Sequence, residues 1–137
     1  MSNLLLLTND RRIRWVDFPP LTDKNDSHLP LYYRHLECNT IDIVTPYGLE
    51  KKDTYCLIVD DEGLLVAEPR INILGSLLYG VLDHHQILAG HVLVGKNLIT
   101  DDGIETVGLE EEDKKYLINA LYQLESKFIQ SIFKKEK

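Results

Sequence analysis

The chain has 137 residues, a formal net charge of −7 and two cysteines. This length suits one compact domain, and 44% hydrophobic with 27% charged residues is typical of a globular protein. No apolar run reaches the ~20 residues that a membrane helix needs, and the N-terminus lacks the basic start of a signal peptide. We therefore expect a cytoplasmic protein with no membrane partner. The negative charge argues against nonspecific nucleic-acid binding, which needs clustered Lys and Arg.

The first part of the chain predicts a β-hairpin over residues 4–18. Two apolar segments flank Thr8-Asn9-Asp10, in which Asn and Asp favour a turn. Pro19-Pro20 then ends the second strand, because proline cannot donate to a β-ladder. A polar, turn-rich loop follows, and residues 31–37 have the apolar spacing of a short helix.

The central part, residues 31–107, predicts most of a β-sheet. The turn chemistry of Asp60-Asp61-Glu62-Gly63, between two apolar runs, indicates a hairpin. An apolar helix is expected over residues 71–79, ended by Gly80. Asp101-Asp102-Gly103 predicts another tight turn. The strands of this part are expected at about 40–44, 54–60, 64–67 and 91–95.

The clearest predicted element is a C-terminal amphipathic helix over about 109–133. Acidic residues at 110–113 and lysines at the other end match the helix dipole. The apolar stripe is wider than one face of a small sheet requires, so we expect the helix also to mediate a homo-oligomer. Residues 1–137 should thus form a single α+β domain, a mainly antiparallel sheet with two or three helices packed on one face. The helical period is set by Leu117, Leu121, Leu124, Phe128 and Ile132.

Residues with catalytic or metal-binding chemistry form no recognised motif. The densest histidine cluster is His84, His85 and His91, but it lacks the i, i+4 pair of the zinc proteases. Asp60-Asp61-Glu62 lacks the spacing of an EF-hand loop, and the cysteines are not a CxxC pair. Neither a nucleophile–base signature nor a phosphate-binding loop occurs. We therefore predict no catalytic residue, no metal and no cofactor.

Cationic and aromatic side chains in loop or edge positions favour an anionic ligand. Aromatic rings stack on bases, and the Arg guanidinium binds phosphate through paired hydrogen bonds. For any single residue, the alternative is that the ring belongs to the core or that the cation only solvates the surface. The candidates are Arg12, Arg14, Trp15, Tyr32, Tyr33, Arg34, Tyr47, Arg70 and Lys96. The set that we predict to bind a small nucleotide-type ligand is Tyr33, Arg34, Arg70, Asn72 and Lys96.

Four segments of the central part carry a resemblance to a known family. They are IDIV at 41–44, IVDDEGLL at 58–65, PRIN at 69–72 and AGHVLVG at 89–95. Over roughly residues 31–120, their order resembles that of the DUF3846 family of small phage and mobile-element proteins. The family implies no particular activity. It implies a context, that of small accessory proteins of phages.

Together these observations predict a non-catalytic, phage-type counter-defence protein in the host-cell cytoplasm. It would bind and sequester a small nucleotide-type immune signal. One alternative is a protein that blocks a host defence protein directly, as an inhibitor or as an acidic DNA mimic. The other is a small metal-dependent hydrolase that uses His84, His85 and His91; such an enzyme would require a divalent ion.

Overall fold

A six-stranded antiparallel sheet organises the protein in the computed structural model, which describes residues 2–23 and 26–135. Five strands follow the order β2-β1-β5-β4-β3, and β6 pairs with β5. The α+β class, the antiparallel sheet and the long C-terminal helix are confirmed. The strands are β1 (Asn3–Leu7), β2 (Ile13–Asp17), β3 (Ile41–Val44), β4 (Tyr55–Asp60), β5 (Val92–Thr100) and β6 (Gly103–Val107). The helices are α1 (Leu29–Leu36), α2 (Ile73–Tyr79), α3 (Val81–His84) and α4 (Glu111–Lys135).

Both faces of the sheet are covered, because successive side chains of a strand point to opposite sides. On one face, Leu5, Leu57 and Val94 pack with residues of α2 and α4. On the other face, Leu4 and Ile58 pack with residues of α1. Two helices thus share one face, as expected, and α1 adds a layer on the opposite face that the sequence analysis did not predict. The central strands therefore consist of unbroken apolar runs rather than alternating ones.

The predicted strand at 64–67 is wrong. Residues 61–68 form turns and bends, and the side chains of Leu64, Leu65 and Val66 are 48%, 80% and 55% exposed. The reason is that β4 already pairs with β3 on one edge and with β5 on the other. A hairpin partner following β4 therefore has no free edge to join. The turn at Asp60 does form, with the N–H of Gly63 donating to the Asp60 carbonyl at 3.2 Å, but it leads into a loop.

The remaining predicted elements occur close to their expected positions. The β1–β2 hairpin pairs Leu5 with Trp15, and the Asp101-Asp102 turn joins β5 to β6. Gly80 ends α2 with a left-handed φ of 99°, a conformation that glycine adopts without strain. Strand β5 is longer than expected and runs on to Thr100.

The α4 helix buries one side and exposes the other. Leu117 and Leu121 are 0% and 3% exposed, whereas Tyr122 and Phe133 are 78% and 63% exposed. The homo-oligomer that we expect through this helix stays a prediction. Among the described residues, no helix combines the length and the apolar character needed to cross a membrane.

Candidate functional site

Three arginines that are distant in sequence line one open groove of about 590 Å³. Arg12 lies between β1 and β2, Arg14 lies in β2, and Arg70 lies in the loop between β4 and α2. Pockets that bind small molecules commonly have volumes of about 300–1,000 Å³. We call this feature the arginine groove. Its lining also includes Thr8, Asn9, Asp10, Glu37 and His91.

Strand alternation places Arg12 and Arg14 on the same side of the hairpin. Trp15 points to the opposite side, where the Lys114 ammonium lies 5.2 Å from the centre of its ring. On the groove side, partial burial and then the positive charges of Arg34 and Arg14 lower the pKa of His35. Arg14 and Arg34 therefore both act electrostatically on His35, although the whole protein is acidic.

The three arginines of the groove differ in their partners. Arg12 Nε lies 3.3 Å from Asp10 Oδ2. A hydrogen bond from the Thr8 hydroxyl is the main cause that lowers the pKa of Asp10. Desolvation opposes it and the charge of Arg12 supports it, and the net effect favours the ionised carboxylate. Within residues 2–23 and 26–135, the side chains of Arg14 and Arg70 make no hydrogen bond or ion pair. Their guanidinium groups are therefore available to a ligand.

His91, which lines the groove, joins three segments of the chain. The backbone N–H of Asn9 donates to His91 Nδ1 at 3.2 Å, and His91 Nε2 lies 2.9 Å from Glu37 Oε2. Because Nδ1 accepts a hydrogen bond, the ring proton belongs on Nε2, which donates to Glu37. Glu37 itself ends α1 in a left-handed conformation with φ of 55°. His91 thus serves as a connection between the β1–β2 turn, the end of α1 and the start of β5.

The prediction that Asn72 binds a ligand is wrong. Its side chain is 0% exposed, and it is the N-cap of α2, accepting from the Gly75 N–H at 2.8 Å. The amide nitrogen donates to the carbonyls of Leu7 at 2.9 Å and Gly90 at 2.8 Å. These bonds occupy both amide hydrogens and the carbonyl oxygen, so Asn72 connects α2 to the sheet and has no donor left for a ligand.

Lys96 is engaged at a different part of the molecule, the N-terminal end of α4. Its ammonium lies 3.2 Å from Asp113 Oδ2, and the Tyr55 hydroxyl donates to Asp113 Oδ1 at 2.8 Å. The N–H of Glu110 also donates to Asp113, as in a capping box. Burial alone would raise the pKa of Asp113, but these hydrogen bonds and the Lys96 charge hold it below 3.8. We call these residues the α4 network.

Only Arg70 of the five predicted ligand-binding residues lines the arginine groove. Tyr33 and Arg34 lie on α1, outside that lining. Arg12 and Arg14 were candidates in the wider set, and their i, i+2 spacing was the signal that could have selected them. Glu37 carried no signal in the sequence, because its role depends on contact with a residue 54 positions away.

Among the described residues, histidines and cysteines form no reactive cluster. In the described part of the chain, no group of three or more His, Cys, Asp or Glu residues is placed to hold a metal ion. His84 packs edge-on against Tyr47 with ring centres 5.8 Å apart, whereas His91 contacts Glu37. Burial raises the pKa of the Cys56 thiol, which keeps it protonated. The hydrolase alternative therefore lacks its expected ligand cluster among the described residues.

Comparisons with protein-family models, curated proteins and solved structures find no match for this chain. The resemblance to the DUF3846 family stays a prediction from the sequence.

A separate groove of about 380 Å³ lies between α4 and the turn before β4. Its polar lining consists of two amides, one tyrosine, one Lys and one Glu, so the arginine groove is the stronger candidate for an anionic ligand.

Proposed function

We propose that this protein binds a small anionic, nucleotide-type ligand in the arginine groove and releases it chemically unchanged. The observation that carries the proposal is the pairing state of Arg14 and Arg70, which line one concavity and have no carboxylate partner among the described residues. The planar guanidinium donates paired hydrogen bonds to phosphate oxygens. A phosphate placed between the two side chains would offset both charges.

The chemistry of the lining supports binding rather than turnover. The proton acceptor best suited to a general base, His91, has both ring nitrogens engaged with Asn9 and Glu37. Thr8, the lining residue with a hydroxyl, donates to Asp10 and accepts from the N–H of Arg12. Because its pKa is lowered, the Asp10 carboxylate is a weak base and is poorly suited to activate the Thr8 hydroxyl as a nucleophile.

The phage-type context gives this binding a biological role. A protein that holds a nucleotide-type immune signal without cleaving it lowers the concentration of that signal in the host cytoplasm. The role requires affinity and sufficient protein, and it requires no catalytic residue. We propose sequestration of such a signal as the counter-defence function.

Direct blocking of a host protein is the second candidate, because of one feature of the surface. Leu64, Leu65 and Val66 form a consecutive exposed apolar segment in the loop after β4. Exposed apolar surface is a common property of protein-binding sites. Replacing Leu65 with Asp should abolish capture of a host partner under this alternative and leave nucleotide binding unchanged under sequestration.

Isothermal titration with adenosine, guanosine and uridine monophosphates tests the proposed function. Arg14→Gln and Arg70→Gln should each weaken binding about tenfold or more, because hydrogen bonds to charged groups contribute about 1.5–3 kcal/mol. Arg34→Gln is the matched control, since Arg34 is an exposed arginine outside the groove lining. Equal affinities for Arg34→Gln, Arg70→Gln and the wild type would contradict the assignment of the groove.

The fate of the ligand separates sequestration from hydrolysis. The protein is incubated with cyclic and linear nucleotides in the presence and absence of Mg²⁺ and Zn²⁺, then denatured, and the released molecules are identified by mass spectrometry. Recovery of intact nucleotide under both conditions supports sequestration. A cleaved product that depends on the added metal would establish the hydrolase instead.

A further inference from the structure

A smaller cavity of about 240 Å³ adjoins the arginine groove, and four residues line both: Asn9, Glu37, Arg70 and His91. Beyond these, the smaller cavity is lined by the apolar side chains of Leu36 and Val66 and by the carboxylates of Asp60 and Glu68. The arginine groove sets three arginines against two carboxylates, whereas the smaller cavity sets three carboxylates against one arginine. The arginine groove therefore favours the anionic end of a ligand, and the smaller cavity favours an end without negative charge.

The carboxylates of the smaller cavity retain capacity to accept hydrogen bonds. Within the described residues, the side chain of Glu68 has no hydrogen bond or ion pair. Glu37 uses one oxygen for His91, and Asp60 uses one oxygen for the N–H of Glu62 at 2.9 Å. An ionised carboxylate accepts hydrogen bonds and donates none, so this cavity suits a group rich in N–H donors.

We infer that the smaller cavity holds the base of a guanine nucleotide whose phosphate lies on Arg14 and Arg70. This inference rests on the proposed function of the arginine groove. Guanine presents two adjacent donors, N1–H and the exocyclic amino group, which match the two oxygens of one carboxylate. Uracil presents a single N–H between two carbonyl oxygens, and those oxygens are repelled by a carboxylate. Leu36 and Val66 offer apolar contact to the ring.

Titration of guanosine and uridine monophosphates tests the inference on the full chain. The wild type should bind the guanine nucleotide at least tenfold more tightly, because a site that hydrogen-bonds a ligand strongly rejects an analogue without the matching donors. Glu68→Gln should remove most of this preference and leave the affinity for uridine monophosphate unchanged. Glu62→Gln is the matched control, an exposed glutamate of the same loop outside the lining. Circular dichroism confirms that each variant is folded.

The other outcomes separate this inference from the proposed function. If both nucleotides bind the wild type equally and Arg70→Gln weakens both, the guanine assignment is overturned and anion binding at the groove stands. If Glu68→Gln and Glu62→Gln behave alike, the assignment is also overturned. Absence of binding for both nucleotides and for inorganic phosphate overturns the inference together with the proposed function.

Discussion

The α4 network and the arginine groove use positive charge in opposite ways. In the α4 network, Lys96 meets the buried carboxylate of Asp113, which is also hydrogen-bonded by Tyr55. In the arginine groove, Arg14 and Arg70 meet no carboxylate within the described residues. Both regions lie beside strands and look alike in a list of cationic residues. Under the proposed function, a structural cation differs from a binding one in whether the fold supplies its counter-charge.

The largest loss of stability is expected from Asp113→Ala, which tests whether the α4 network is structural. Removing the carboxylate leaves Lys96 and the Tyr55 hydroxyl without their partner at a mostly buried position, and the N-terminal end of α4 loses its cap. Unfolding in urea should show a loss of about 2–4 kcal/mol. Glu112→Ala, which removes an exposed acid from the same helical turn, should change stability by less than about 0.5 kcal/mol. Similar losses in both variants would show that the network is not a stabilising one.

The pH dependence of stability tests the contribution of Asp113 in a second way, with a smaller expected effect. The folded-state pKa of Asp113 is lowered from 3.8, so its stabilising contribution is present above the unfolded-state pKa and is lost as the pH falls through the folded-state pKa. The urea concentration at the unfolding midpoint of the wild type should therefore decrease as the pH is lowered below about 4. Asp113→Asn should show a shallower decline over this range. Parallel curves would assign the acid sensitivity to other carboxylates.

The smallest effect is expected in the arginine groove. Combining Arg14→Gln with Arg70→Gln removes two exposed charges that have no partner in the described part of the chain. Stability in urea should therefore change by no more than about 0.5 kcal/mol, or increase slightly. Ligand affinity should nevertheless fall sharply in this double variant. A loss of stability comparable to that of Asp113→Ala would mean that these arginines have a structural role.

Elements set by local pattern could be predicted from the sequence, and those set by distant partners could not. The N-terminal hairpin and α4 follow from strand alternation and from a 3.6-residue period, which are properties of adjacent residues. The strand expected at 64–67 has the right residues, but its pairing depends on the two edges of β4, and β3 and β5 occupy both. Edge occupancy is a property of the whole sheet.

The candidate site shows the same division. The i, i+2 spacing of Arg12 and Arg14 predicts that they share a side, and Arg70 was selected because it lies at a loop before a helix. Their meeting in one groove depends on sheet order. Asn72 looked like a ligand-binding residue because nothing local shows that the carbonyls of Leu7 and Gly90 will lie beside it.

The connection that His91 makes also bears on when the site forms during folding. His91 contacts residues 82 and 54 positions away, and closing such long loops is entropically costly until β5 has docked between β1 and β4. We therefore expect the groove to be absent from partly folded chains, and a ligand bound there under the proposed function would bind the native state alone. At a ligand concentration of about 100 times Kd, mass action would add roughly 2.7 kcal/mol to the free energy of unfolding. Chains loaded with ligand should accordingly be slower to unfold and harder for proteases to degrade than empty ones.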